Sequence, residues 1–194
     1  MNLANILTAS RIALSPVFLL IFFLPEYIKV NPLVFVIILW LLFIWMELSD
    51  LFDGMAARSA NTVSDLGKVF DPFADVISRM TYFLCFTKIG IMPVFVFAII
   101  MYREFIILFI RILAMKHGFA MGARVGGKLK AWAYALAGIS GLLYISIVRI
   151  DFLTAYSGQI LSVAKVFFIL SAIAALSSLA DYLLMFRKKF SGNK

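Results

Sequence analysis

The composition of this 194-residue sequence is that of a membrane protein. Hydrophobic residues make up 64% of the chain and charged residues only 14%, and the mean hydropathy is +1.04. A water-soluble globule carries about 25% charged residues, so that class is excluded. The single cysteine excludes a disulfide scaffold. The net charge of +8 is interpreted as membrane topology and anionic substrates, with no nucleic-acid partner.

Six stretches of the chain are long and apolar enough to cross a bilayer, which takes about 20 mostly apolar residues. They are residues 7–24, 33–55, 67–87, 92–115, 130–149 and 159–186. Pro25, Pro32 and Pro93 and the pair Gly126–Gly127 stand where such helices should begin or end. The sequence therefore predicts one all-α membrane domain, residues 1–194, with six transmembrane helices.

The basic residues predict the orientation. With six spans, both termini and the even-numbered loops share one side of the membrane. That side holds ten basic residues: Arg58, Lys68, Lys116, Arg124, Lys128, Lys130, Arg187, Lys188, Lys189 and Lys194. The other side holds Lys29, Lys88 and Arg149. Because cytoplasmic loops carry the excess of lysine and arginine, both termini are expected in the cytoplasm.

Acidic residues concentrate at the cytoplasmic ends of the second and third predicted helices. Six lie within 29 residues: Glu47, Asp50, Asp53, Asp65, Asp71 and Asp75. An ionised group at membrane depth costs about 2.5–3.5 kcal/mol on insertion scales, so these carboxylates need partners. They could be solvated at the headgroups, pair with Arg58 and Lys68, or bind cations.

The spacing of four aspartates favours cations. Asp50 and Asp53 share one helix face at i, i+3, and Asp71 and Asp75 share another at i, i+4. If the two faces meet, four carboxylates converge and repel strongly, and they must take up protons or bind divalent ions. Oxygen ligands alone select hard ions, so two Mg²⁺ or Mn²⁺ ions are expected.

Small residues between the aspartates suggest an approach path for a ligand. Gly54 and Ala57 leave part of a helix face without side chains, where a flat ring or a phosphate could reach the backbone. Arg58, one turn further, could hold an anionic group. Close helix–helix packing is the alternative explanation for Gly54 and Ala57.

The same segment resembles a known family. Its pattern, D-x2-D-G-x2-A-R-x8-G-x3-D-x3-D, is filled at all eight fixed positions by Asp50, Asp53, Gly54, Ala57, Arg58, Gly67, Asp71 and Asp75. It is the signature of the CDP-alcohol phosphotransferase family. Residues 2–11 resemble the N-P-N-x-x-T-x-x-R opening of the bacterial phosphatidylglycerophosphate synthases in that family, with Ala4 where proline is usual. Arg103-Glu104-Phe105, Arg111 and residues 127–130 are also similar to that subgroup.

The resemblance implies a reaction, a fold and a set of roles. The family fold has six transmembrane helices in the cell (inner) membrane and an active site open to the cytoplasm, and its members pair as homodimers. They transfer the phosphatidyl group of CDP-diacylglycerol to an alcohol and release CMP. By resemblance, Asp50, Asp53, Asp71 and Asp75 hold two divalent metals, and Asp75 is also the general base. The nucleotide and pyrophosphate would be bound by Gly54, Ala57, Arg58 and Gly67, with Asn5 and Thr8.

The acceptor alcohol is predicted from basic residues outside the motif. Arg103 and Arg111 share a helix face about 12 Å apart along the axis. With Lys128 and Lys130 they could form a cradle for the phosphate of glycerol 3-phosphate. Alternatively, Arg103 pairs with Glu104 or an aspartate, and the lysines only set topology.

Other acceptors stay open because the sequence departs from the subgroup at one position. Val76 replaces the lysine that usually follows the last motif aspartate, and Arg79 could substitute for it. The alternatives are inositol phosphate, serine, choline and phosphatidylglycerol. A transporter would be expected to have acids near the midplane of broken or repeated helices. A non-catalytic scaffold would not need every motif aspartate.

Overall fold

The structure is a computed structural model that describes residues 3–60, 65–116 and 125–191, and within these ranges it contains helices and no strand. Side chains are described there except at residues 3–4, 50–60, 65–69, 125–126, 128 and 188–191. The long helices are α1 (Leu3–Phe23), α2 (Pro32–Ala60), α3 (Asp65–Lys88), α4 (Val94–Lys116), α5 (Val125–Ile150) and α6 (Ser157–Ser191). Short 3₁₀ turns, Leu24–Glu26 and Thr154–Tyr156, precede α2 and α6.

Each of the six predicted stretches forms a helix, although some bounds differ. The second helix was expected to end at residue 55 but continues to Ala60, so Asp50 and Asp53 both lie within it. Gly126 and Gly127 were expected before the fifth helix, yet α5 begins at Val125 and includes both. Glycine is tolerated there because the first backbone amides of a helix have no intrahelical partner to lose.

In the described part of the chain, four segments are long and apolar enough to span a membrane. They are Asn5–Glu26, Pro32–Ser49, Leu129–Ile150 and Thr154–Arg187. Helices α3 and α4 are long enough but carry charges along their length, among them Asp75 and Arg79 on α3 and Arg103 and Arg111 on α4. The described part of the chain is therefore an all-helical membrane protein in which the charged residues of α3 and α4 need shielding from lipid.

Aromatic packing around α3 provides that shielding. Tyr82 and Phe83 of α3 are fully buried. The Tyr82 ring lies 5.2 Å from that of Phe43 on α2, and the Phe83 ring lies 5.6 Å from Tyr134 on α5 and 5.8 Å from Phe168 on α6. Helix α3 also packs on α1 and α4. It therefore contacts all five other long helices, and its polar residues Ser78 and Arg79 are buried.

Two glycines on α5 allow the aromatic rings to approach closely. A Cβ atom on Gly138 would lie 2.6 Å from Cε2 of Phe43, and one on Gly141 would lie 2.9 Å from Cε2 of Phe86. Both distances are shorter than a carbon–carbon contact of about 3.5–4.0 Å. The rings of α2 and α3 therefore pack against bare backbone of α5.

Candidate active site

Arg11 on α1 bridges two of the motif aspartates. The Arg11 side chain is fully buried, and its guanidinium donates from Nη2 to Oδ1 of Asp71 at 2.5 Å and from Nη1 to Oδ1 of Asp75. Asp71 and Asp75 therefore present oxygens to one cation, as their i, i+4 spacing predicts. A third charge, Arg79, lies one turn further along α3, with Nη1 3.7 Å from Oδ2 of Asp75.

The sequence did not predict that Arg11 pairs with these aspartates. Arg11 was noted only as the last residue of the N-terminal pattern, while Arg58 and Lys68 were considered as partners of the acids. The available signal was an arginine within an apolar span, since such a residue almost always pairs inside the bundle.

Only part of the remaining motif lies among the described side chains. Helix α2 contacts α3 near the site, because the Tyr82 hydroxyl donates to Oε1 of Glu47 at 3.1 Å. Asp50 lies one helical turn beyond Glu47. The side chains of Asp50, Asp53, Gly54, Ala57, Arg58 and Gly67 lie outside the described residues. The convergence of all four aspartates therefore stays a prediction.

Two residues predicted to contact the nucleotide lie on the α1 segment next to Arg11. Thr8 is buried, and Asn5 is partly exposed about one turn before it. Both are on the helix that carries Arg11 to Asp71 and Asp75. Their role in binding the nucleotide stays a prediction.

The described residues fit half of a divalent metal site. Asp71 and Asp75 both direct a carboxylate oxygen at one positive group, and carboxylate oxygens are the donors that Mg²⁺ and Mn²⁺ prefer. No cluster of three or more potential ligands occurs among the described side chains. The other predicted ligands, Asp50 and Asp53, lie outside them.

A cavity of about 210 Å³ opens beside Asp75. Its charged lining residues are Asp75, Arg79, Arg103, Glu104, Arg111 and Lys130. Four cations and two carboxylates give the lining a formal charge of +2. The structure therefore places three of the four residues predicted to hold the acceptor phosphate around one space, together with the predicted general base. The fourth, Lys128, lies outside the described side chains.

A buried carboxylate organises two of these cations. Oε1 of Glu104 accepts hydrogen bonds from Nη1 of Arg103, Nζ of Lys130 and the Tyr134 hydroxyl, each at 2.9 Å. Nη2 of Arg103 also donates to Oγ of Ser178 on α6 at 2.7 Å. The alternative prediction, that Arg103 pairs with Glu104, is therefore confirmed as a contact. Arg103 also lines the cavity. The position of Glu104 between Arg103 and Lys130 was not predicted.

Arg111 and Arg79 complete the basic lining. Nη2 of Arg111 donates to the Tyr182 hydroxyl at 2.9 Å, and its guanidinium carbon lies 5.6 Å from the centre of that ring. Arg79, on the helix face next to Asp75, also lines the cavity. It supplies a cation from α3 three residues after Val76, in agreement with the prediction that Arg79 could take the place of a lysine there.

The comparison with known proteins decides the family. The model of the CDP-alcohol phosphatidyltransferase family matches residues 1–177. The chain belongs to this family. The protein is therefore a membrane-bound transferase of phospholipid biosynthesis, and the predicted family is confirmed. A transporter and a non-catalytic scaffold are set aside.

Similar proteins in three bacteria carry the same name, CDP-diacylglycerol–glycerol-3-phosphate 3-phosphatidyltransferase. That of Treponema pallidum (strain Nichols) is 34% identical over 194 residues, covering 96% of this chain and 89% of its own. That of Bacillus subtilis (strain 168) is 33% identical over 152 residues, 73% of this chain and 76% of its own. That of Aquifex aeolicus (strain VF5) is 29% identical and covers 95% of each chain.

Proposed function

We propose that this phosphatidyltransferase uses CDP-diacylglycerol as donor and glycerol 3-phosphate as acceptor, forming phosphatidylglycerophosphate and releasing CMP. The observation that carries the proposal is the cavity in which Arg103, Arg111 and Lys130 share one space with Asp75. The names of relatives that cover most of this chain support the same pair of substrates.

The charge of the cavity favours an acceptor that carries a phosphate. A phosphate monoester has a charge of about −1.5 to −2 at pH 7, which balances a lining of formal charge +2. Choline is a cation and serine has no net charge, so neither makes use of four basic side chains. The names of the relatives favour glycerol 3-phosphate over inositol phosphate.

Each group of residues has a distinct part in the proposed mechanism. Bound at Asp50, Asp53, Asp71 and Asp75, two Mg²⁺ or Mn²⁺ ions would neutralise the pyrophosphate. Arg103, Arg111, Lys128 and Lys130 bind the acceptor phosphate and turn the free hydroxyl toward Asp75. Asp75 accepts the proton of that hydroxyl, which is a poor nucleophile at pH 7. Arg58 contacts the pyrophosphate, and Gly54, Ala57 and Gly67, with Asn5 and Thr8, bind the nucleotide.

The proposal includes the arrangement in the membrane. All six helices cross the inner membrane, both termini are cytoplasmic, and the site opens to the cytoplasm. Buried charges on α3 and α4 support crossing by these helices too, because Arg79, Arg103 and Glu104 are each less than a tenth exposed and lie inside the bundle. Assembly as a homodimer is expected from the family resemblance.

Product identification tests the proposed function. Purified protein is incubated with CDP-diacylglycerol, Mn²⁺ or Mg²⁺, and one acceptor at a time: glycerol 3-phosphate, inositol phosphate, serine, choline or phosphatidylglycerol. The expected result is release of CMP and a lipid with the mass of phosphatidylglycerophosphate in the first reaction only. A lipid product from another acceptor, with none from glycerol 3-phosphate, would overturn the substrate assignment.

A further inference from the structure

Glu104 connects three helices at the wall of the acceptor cavity. Its carboxylate on α4 accepts hydrogen bonds from Lys130 and Tyr134 on α5 and from the neighbouring Arg103, which in turn donates to Ser178 on α6. The side chains of Arg103, Glu104 and Lys130 are each less than a tenth exposed. Glu104 is therefore the centre of a buried polar network and lines the cavity at the same time.

The network places a carboxylate between two cations that would otherwise repel each other. Nη1 of Arg103 and Nζ of Lys130 both lie 2.9 Å from the same oxygen, so the two positive groups are at most about 6 Å apart. Two cations at that separation repel strongly in a medium of low dielectric constant. The carboxylate between them offsets the repulsion and lets both remain at the cavity before any anion arrives.

We propose that Glu104 is a positioning residue that determines specificity for a phosphate-bearing acceptor. It offsets the repulsion between Arg103 and Lys130 and so holds both cations at the cavity in which the acceptor phosphate would lie. The inference rests on the proposed function, because it concerns how glycerol 3-phosphate is held. Glu104 itself does not touch the reacting atoms.

The substitution Glu104→Gln separates this role from a merely structural one. The amide retains the size of the side chain but cannot balance two cations, so Arg103 and Lys130 move apart. The KM for glycerol 3-phosphate should rise about tenfold or more, the effect of disrupting a buried charge pair at a binding site. The kcat and the KM for CDP-diacylglycerol should change less than about twofold, because Asp75 is unaltered.

The matched control is Glu47→Gln. Glu47 also accepts a hydrogen bond from a buried tyrosine, Tyr82, but does not line the cavity. The Glu47→Gln variant should leave the KM for glycerol 3-phosphate unchanged. Thermal unfolding gives a second measurement, in which glycerol 3-phosphate at one fixed concentration should raise the melting temperature of the wild type and of Glu47→Gln by similar amounts and that of Glu104→Gln by less.

Tyr134→Phe keeps the test decisive if Glu104→Gln does not fold, and a double-mutant cycle with Lys130 extends the test if Glu104→Gln does fold. Tyr134→Phe removes one hydrogen bond to Glu104 and leaves every charge, and it should raise the acceptor KM about threefold, the effect of one net hydrogen bond. In a Lys130→Met background, Glu104→Gln should raise the KM for glycerol 3-phosphate by a much smaller factor than it does alone, because the effects of coupled residues are not additive.

The outcomes distinguish the inference from the proposed function. A wild-type protein that does not use glycerol 3-phosphate overturns both. A wild type that uses it, with an unchanged acceptor KM in Glu104→Gln and in Tyr134→Phe, overturns this inference alone. Equal losses in kcat and in both KM values would also overturn it, because they would indicate a general structural role.

Discussion

At the scale of single residues, charge balance in the bundle depends on pairs made across helices. Arg11 on α1 forms ion pairs with Asp71 and Asp75 on α3, and Glu104 forms ion pairs with Arg103 and Lys130. An unpaired charge at such depth would be expensive, and each of these side chains has a partner of opposite charge. The protein can therefore keep a metal-binding motif and an anion-binding cavity side by side in an apolar setting.

The substitution Asp75→Asn should abolish most activity. The amide cannot accept the proton of the acceptor hydroxyl, and loss of a general base lowers rates by about 10²–10⁴-fold. Release of CMP in the presence of Mn²⁺ measures the effect. Asp151→Asn, which removes an exposed carboxylate in the turn before α6, is the control and should retain full activity. Activity within threefold of wild type in Asp75→Asn would rule out the general-base role.

The substitution Arg11→Met should destabilise the metal-free protein. Asp71 and Asp75 would lose the cation that bridges them, at a cost of about 2–3 kcal/mol, which is below that of a fully buried pair because Asp71 is 44% exposed. Thermal unfolding in EDTA should show a lower melting temperature, and added Mn²⁺ should raise it more than in the wild type. Arg11→Lys retains the charge and should restore part of the loss. Equal stability of Arg11→Met and wild type in EDTA would contradict the role.

At the scale of elements, α5 combines two tasks in one helix. Its first turns carry Lys130 and Tyr134 to Glu104, and the next turns present Gly138 and Gly141 to the rings of α2 and α3. Close packing at the glycines holds the helix against the core. The position of Lys130 at the cavity therefore depends on contacts that lie two to three turns away.

The substitution Gly138→Val should destabilise the bundle. The added side chain would overlap the buried Phe43 ring, and overpacking of this kind costs about 1–3 kcal/mol. The midpoint of thermal unfolding in detergent checks the direction. Gly158→Ala is the control, since a Cβ there meets nothing within 4 Å, and its midpoint should stay unchanged or rise slightly. A Gly138→Val protein as stable as Gly158→Ala would show that Phe43 moves aside freely.

Sequence reasoning predicted the helices and part of the site, for a physical reason. Long apolar runs and helical spacing are local properties, so the six helices and the shared face of Asp71 and Asp75 could be predicted from the sequence. The partners of Arg11 and Glu104 depend on how distant helices pack, as shown by Arg11 and Asp75, which are 64 residues apart. A local pattern can show that Arg11 needs a partner, and that Arg103 can pair with its neighbour Glu104, but it does not identify a partner on a distant helix. The side chains of Asp50 and Asp53 lie outside the described residues, so the complete aspartate cluster stays a prediction.

At the scale of the whole molecule, the distribution of basic residues predicts one orientation in the membrane. The only cysteine, Cys85, is fully buried and leaves little background for labelling with thiol reagents. In a bacterial inner membrane, a membrane-impermeant maleimide should label Lys29→Cys in spheroplasts, and Arg187→Cys only after lysis. Both positions are exposed in the structure. The reverse pattern would place the termini outside and contradict the proposed cytoplasmic site.

The bridge from Arg11 to α3 has a consequence for biosynthesis. A ribosome makes α1 first, and the carboxylates that Arg11 contacts follow 60 and 64 residues later. Until then the nascent first helix carries a guanidinium that hydrocarbon disfavours. The buried pair that Arg11 forms in the folded bundle can therefore be made only after α3 has been synthesised.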